Sequence, residues 1–180
     1  MSEKLHVYAA RAGVGDVGVV TDAYHIAMQI RLPFLRDVYH YDMLHPARTA
    51  LILIENAGCT DGRVLAAAVV TETLAPEMRV PAAVIEAALG PDVAALNAAI
   101  PDPAEETLIE KLVTADDDVA LIALAERLDH ARHLHMRDPS HWRGYFTQTA
   151  SVYAPVAERV NAELFRRYER WIRAFEQRLS

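Results

Sequence analysis

Cysteine is almost missing from this chain. Cys59 is the single one in 180 residues, so no internal disulfide can form, and a reducing cytoplasm is the expected setting. Glycine and proline are also sparse, at 7 and 9. An all-β sandwich needs many more turns than that. No apolar stretch reaches the length of a membrane span, so no membrane partner is expected. The opening Met1-Ser2-Glu3-Lys4 lacks the apolar centre of a signal peptide. Lysine supplies only 2 of the 18 basic residues against 25 acidic ones, for a net charge of −7. That excludes a basic footprint and, with it, general nucleic-acid binding.

What is abundant is alanine, 31 residues of it, within a hydrophobic fraction of 52%. Alanine is the best helix former and a poor strand former. A chain of this size makes one domain and buries about 70% of its unfolded surface. No disulfide or structural metal is needed to hold such a core.

Residues 1–20 read as an N-terminal tail or turn, with Leu5 to Ala10 open to either a short strand or the start of a helix. Gly13-Val14-Gly15-Asp16-Val17-Gly18 fits G-x-G-x-x-G. That fingerprint binds pyrophosphate only inside a βαβ unit, and no second alternating strand follows. From residue 21 to 180 the pattern is helical. Thr21-Asp22 can cap a helix to about Arg31, ended by Pro33. His45-Pro46 opens a second helix, closed by Asn56-Ala57-Gly58. Thr60-Asp61 caps a third through about Ala75, stopped by Pro76. Further helices are expected from Pro81 to Gly90, from Pro91 to about Ile100, and over about 103–114, 117–136 and 139–152. Pro155 opens a long closing helix to about Arg178. Its apolar positions Val156, Val160, Leu164, Tyr168, Ile172, Phe175 and Leu179 line one face. The fold class expected is all-α, a compact multi-helix bundle.

Two helices carry unusual residues. Val64 to Val70 is apolar all round, so that helix is buried, and Glu72 follows at its end. A buried carboxylate needs a cation, a set of hydrogen bonds or a proton; the bland alternative is a helix end that reaches solvent. In Ala120-Leu121-Ile122-Ala123-Leu124-Ala125-Glu126 a carboxylate again ends an apolar run. Glu126 and His130 share a face at i, i+4, as do Asp129 and His133. Either pair could bind a metal or form a plain hydrogen bond. His45 alone reads as a cap or surface residue. His25, His40 and His141 carry no spacing signal.

Taken in order, these segments resemble the HD-domain hydrolases of the RelA/SpoT type. Their pattern is HP, then LAALLHDTVED, then KLADRLHNLR, then YAPLAxRLG. The corresponding stretches are His45-Pro46, Leu65 to Thr73, Leu124 to Arg132 and Tyr153 to Val160. Val84 to Leu96 resembles the family's V…FG..VA.LV segment, and Gln29-Ile30-Arg31 its H-x-G-Q-x-R-K stretch. The resemblance runs from about residue 21 to 160. It implies an HD-domain-like helical fold and an enzyme that removes the 3′-pyrophosphate of ppGpp and pppGpp. The family's synthetase domain would follow, and 180 residues leave no room for it.

Carried over residue by residue, the metal ligands would be His45, Thr71, Glu72 and Glu126, where the family has His, His, Asp and Asp. Glu72 would be the catalytic carboxylate. Arg31, His130 and Arg132 would contact substrate, with His130 in place of a nucleotide-binding Asn. The HD dyad itself is absent, and the acidic pair that positions water in the family is here Ala75-Pro76. The resemblance therefore implies a degenerate protein, lacking or impaired in metal-dependent (p)ppGpp hydrolysis and kept for nucleotide binding or protein interaction, with no cofactor or weakly bound Mn or Mg. The alternatives are a divergent phosphohydrolase using His45, Glu72 and Glu126, and a structural module with no small ligand. The closing helix, with Trp171, Ile172 and Phe175, offers a face on which two copies could form a homodimer.

Overall fold

The apolar helix over Gly62–Val70, α4, is the axis of the bundle, and every residue of it except Arg63 is buried. The computed structural model describes residues 1–35 and 40–179, and no strand occurs among them. Four elements pack on α4: α2 (Val17–Arg31), α3 (His45–Ile52), α6 (Pro91–Ala98) and α8 (Asp117–His133). α8 is the second buried axis, with Ile122, Leu124, Ala125 and Leu128 in the same core. The smaller helices α5 (Ala82–Leu89), α7 (Leu108–Thr114) and α9 (Trp142–Gln148) fill the periphery.

Several expected boundaries hold for the local reasons that predicted them. Pro46 and Pro91 sit in the first turns of α3 and α6, where the missing N–H costs nothing. Gly58 closes the α3 segment in the left-handed region at φ 66, which glycine reaches without strain. Other boundaries move. Residues 1–20, expected as a tail or turn, contain a helix, α1 (Ser2–Arg11), and the start of α2. Leu5 and Ala9 lie one turn apart on α1 and enter the main core. The Asp16 carboxylate caps α2 by accepting from the Val19 amide at 3.2 Å, so that helix starts before Thr21. The glycine-rich run is thus the α1–α2 turn. It packs closely on α4: a Cβ on Gly62 would lie 2.5 Å from the Asp16 carbonyl oxygen.

α4 ends at Thr71 rather than near Ala75. Thr71 turns extended, and the Glu72 carboxylate takes the Leu74 and Ala75 amides at 2.8 and 3.0 Å. Those amides would otherwise have continued the helix. The 103–114 segment is helical only from Leu108. The closing helix is two helices, α10 (Ala154–Val160) and α11 (Ala162–Leu179). Asn161 between them is extended, and its side chain accepts from the Glu163 and Leu164 amides, a new N-cap. The apolar face of α11 packs on α8 and α9 of its own chain. Phe175 is buried there, and Trp171 donates to the Ala131 carbonyl at 2.7 Å. The residues proposed for pairing two copies are therefore engaged within the chain. Among the described residues, no helix is long and apolar enough to cross a membrane.

Candidate metal centre

The ends of α2 and α4 meet the middle of α8 around one buried polar cluster. α4 delivers Glu72 just past its last turn, and α8 delivers Glu126, Asp129 and His130 at one-turn spacing. α3 adds His45 and Arg48, and α2 adds Arg31. Each of these is buried except Arg48. The apolar helices that flank them exclude water, so every charge here must find a partner inside.

Glu72 is fully satisfied. Its Oε2 accepts from Arg31 Nη2 at 2.7 Å, and its Oε1 accepts the two amides of its own loop. His130 Nε2 sits between the two glutamates, 3.3 Å from Glu72 Oε1 and 3.1 Å from Glu126 Oε1. Glu126 Oε1 also accepts from the Thr73 amide at 3.0 Å and hydroxyl at 2.5 Å. Asp129 holds His45 Nδ1 at 2.8 Å and is bridged by Arg48 at 2.6 and 2.9 Å. The His45 and His130 rings stack with centroids 4.3 Å apart.

The protonation states follow from these partners. Burial pushes the Glu72 carboxyl up, but His130, His45 and Arg31 outweigh it and hold it well below the ordinary range. Burial likewise raises Glu126 and Asp129. His130 and His45 reverse this for Glu126, and His45 and Arg48 for Asp129. Burial pulls His130 down, yet Glu126 and Glu72 beside it raise it to about 9. Three carboxylates thus face two arginines and a histidine that charges readily, which leaves the cluster close to neutral.

The expected ligand set is only partly assembled. His45 and Glu126 are present, and with His130 they bring three donor atoms within 4.8 Å of one another. His45 suits a metal: Asp129 fixes Nδ1, and Nε2 is buried with no hydrogen-bond partner, the usual arrangement behind a metal-binding imidazole. A cation held by His45, Glu126 and His130 would act as a Lewis acid and lower the pKa of a bound water. Thr71 points elsewhere. Its hydroxyl donates to the Ala67 carbonyl at 2.7 Å and accepts from Asn97. Glu72 faces Arg31, its own amides and His130.

The expected substrate contacts divide as well. Arg31 is 1% exposed and paired with Glu72. His130 stands among the carboxylates. Arg132 is exposed on α8. Ala75 joins Leu35, Met43 and Met78 in a small apolar cluster with Met28 against it. Sequence reasoning paired Asp129 with His133. The Asp129 side chain crosses to α3, which leaves its Oδ1 4.0 Å from His133 Nδ1, and that nitrogen meets the Asp129 backbone oxygen at 2.8 Å. A signal did exist: Arg48 lies one turn after His45, so both present to the same neighbour.

No protein-family model and no curated protein sequence matches the chain. Among solved structures, it superposes on that of a metazoan orthologue of SpoT that hydrolyses ppGpp and plays a role in starvation responses. The TM-score is 0.67 at 22% identity, over 89% of this chain and 96% of that one. The two share the all-α HD-domain fold of the RelA/SpoT type.

Proposed function

We propose that this chain uses the HD-hydrolase fold as a binding module and is impaired in metal-dependent hydrolysis of (p)ppGpp. The Arg31–Glu72 ion pair carries this reading. By the resemblance, Arg31 would contact nucleotide and Glu72 would ligate metal; in this protein each has the other as its partner. His130 takes a further share of both glutamates. Phosphate-ester hydrolysis needs a cation with an open position and a placed base. Thr71 is turned away from the first, and Ala75-Pro76 cannot supply the second. The shared fold supports a phosphorylated nucleotide as ligand, with the cytoplasm as its place of action. Purified protein incubated with ppGpp and Mn²⁺ is expected to release no pyrophosphate above a buffer control. Sustained release would overturn the reading.

One observation favours a second reading, a divergent phosphohydrolase for another phosphorylated small molecule. The buried His45 Nε2 has no hydrogen-bond partner, and donor atoms of His45, Glu126 and His130 lie within 4.8 Å of one another. His45→Ala and Glu126→Ala would then each abolish both metal binding and turnover.

A further inference from the structure

Two helices leave an ordered face in solvent. On α1, Lys4, Val7, Tyr8 and Arg11 are all exposed. Their spacing puts them on one side of the helix, opposite the Leu5 and Ala9 that enter the core. The stripe is apolar at its centre and cationic at both ends, with Glu3 at one flank. On α7, Ile109, Glu110 and Val113 are exposed, and Glu106 in the turn before it continues the same spacing. That stripe is apolar and anionic. We propose that the α1 face of one chain docks on the α7 face of a second copy of the same chain.

Single exposed apolar side chains are ordinary on a protein surface. Here they are paired. Val7 and Tyr8 are 41% and 42% exposed and adjacent, while Ile109 and Val113 are 59% and 53% exposed and one turn apart. The charges around them are unspent. Among the described residues no ion pair engages Lys4, Arg11, Glu106 or Glu110, whereas the neighbouring Lys111 is held by Glu105. A groove of about 620 Å³ between α7 and α9 opens beside Ile109, with Leu108, Thr147 and Val152 in its lining. It offers the apolar side chains of a docked helix a concave seat. Arg143, also in that lining, donates to the Leu179 carbonyl at 3.4 Å.

The sign of the charge selects the occupant. Residues 102–118 hold seven carboxylates against one lysine, most of the chain's net charge of −7. Such a surface repels an acidic partner and attracts a helix with cations beside an apolar centre. The α1 stripe has that chemistry, with Lys4 and Arg11 each about one turn from the apolar pair. Its opposite side packs on α2 and α3 of its own chain. The α11 apolar face is engaged within the chain, so it does not compete for this role. The contact joins unlike faces, as in head-to-tail assembly, and it is independent of the buried cluster.

Sedimentation velocity of the full chain, from micromolar to millimolar concentration, tests the proposal. The weight-average sedimentation coefficient should rise with concentration. Added salt should move that rise to higher concentration, because exposed charges are screened. Ile109→Asp should abolish it. Lys4→Glu with Arg11→Glu should weaken association by at least about tenfold, since like charges then face each other. Glu106→Lys with Glu110→Lys should do the same. All four changes together should restore association, because opposite charges meet again. Val84→Asp, at an exposed position on α5, should change nothing. If Ile109→Asp lowers the helical content, the charge variants decide. A coefficient constant over the whole range would overturn the proposal. So would association indifferent to the charge reversals, or reversals whose combination fails to restore it.

Discussion

Arg31 Nη2 lies 2.7 Å from Glu72 Oε2, with both side chains at or below 1% exposure. The two residues are 41 apart in sequence, so this contact ties the end of α2 to the end of α4. It also gives the carboxylate a cation that the protein supplies itself. The pair's energetics are lopsided. A buried ion pair gains little over an apolar pair of the same shape, yet removing one partner strands the other.

Arg31→Met should therefore destabilise the chain by about 3–5 kcal/mol, read as a lower urea midpoint. Arg31→Met with Glu72→Gln should recover much of that loss, because the amide oxygen still accepts from Leu74 and Ala75. A single variant as stable as the parent would show that the pair does not form.

The cluster should also give stability a pH dependence on both sides. Glu72 and Asp129 have folded pKa values below their unfolded ones, which are about 4.3 and 3.9. Their contribution is complete above about pH 5 and declines on acidification below that. His130 has the opposite sign. Raised to about 9, it contributes fully below its unfolded pKa of about 6.5 and loses that contribution as pH rises from there. Denaturation midpoints should form a dome, with Asp129→Asn flattening the acid side and His130→Gln the alkaline side. A midpoint constant from pH 3 to pH 9 would contradict the ion-pair network.

Gly62→Ala probes the turn before α2. The added Cβ would meet the Asp16 backbone oxygen at 2.5 Å, and no flexible atom can yield there. Overpacking of this kind costs about 1–3 kcal/mol. Thermal unfolding should show a lower midpoint. An unchanged one would mean that residues 13–16 are not fixed against α4.

Much of this architecture could be read before the structure. Helix boundaries at Pro46, Gly58, Gly90 and Pro91 follow from local chemistry, and the all-round apolarity of Val64–Val70 announced a buried axis. The boundaries that moved depend on where a side chain ends up. Asn161 breaks the closing helix by capping its second half, and Glu72 ends α4 by capturing two amides. α1 was hidden because only Leu5 and Ala9 mark its buried face. At the site, the convergence of His45, Glu72 and Glu126 was legible through the resemblance. The partnerships were not. Nothing local in Arg31 or Glu72 indicates that they face each other, and Asp129 had a plausible partner on its own helix. Long-range pairing of charges is decided by how helices pack, which periodicity does not encode.

The central claim is that Arg31 and His130 occupy the carboxylates that a divalent cation would need. Elemental analysis of the purified chain after dialysis against Mn²⁺ and removal of free metal tests it most directly. The account predicts manganese far below one ion per chain, equal in parent and Glu72→Gln. One ion per chain, lost in Glu72→Gln, would contradict it.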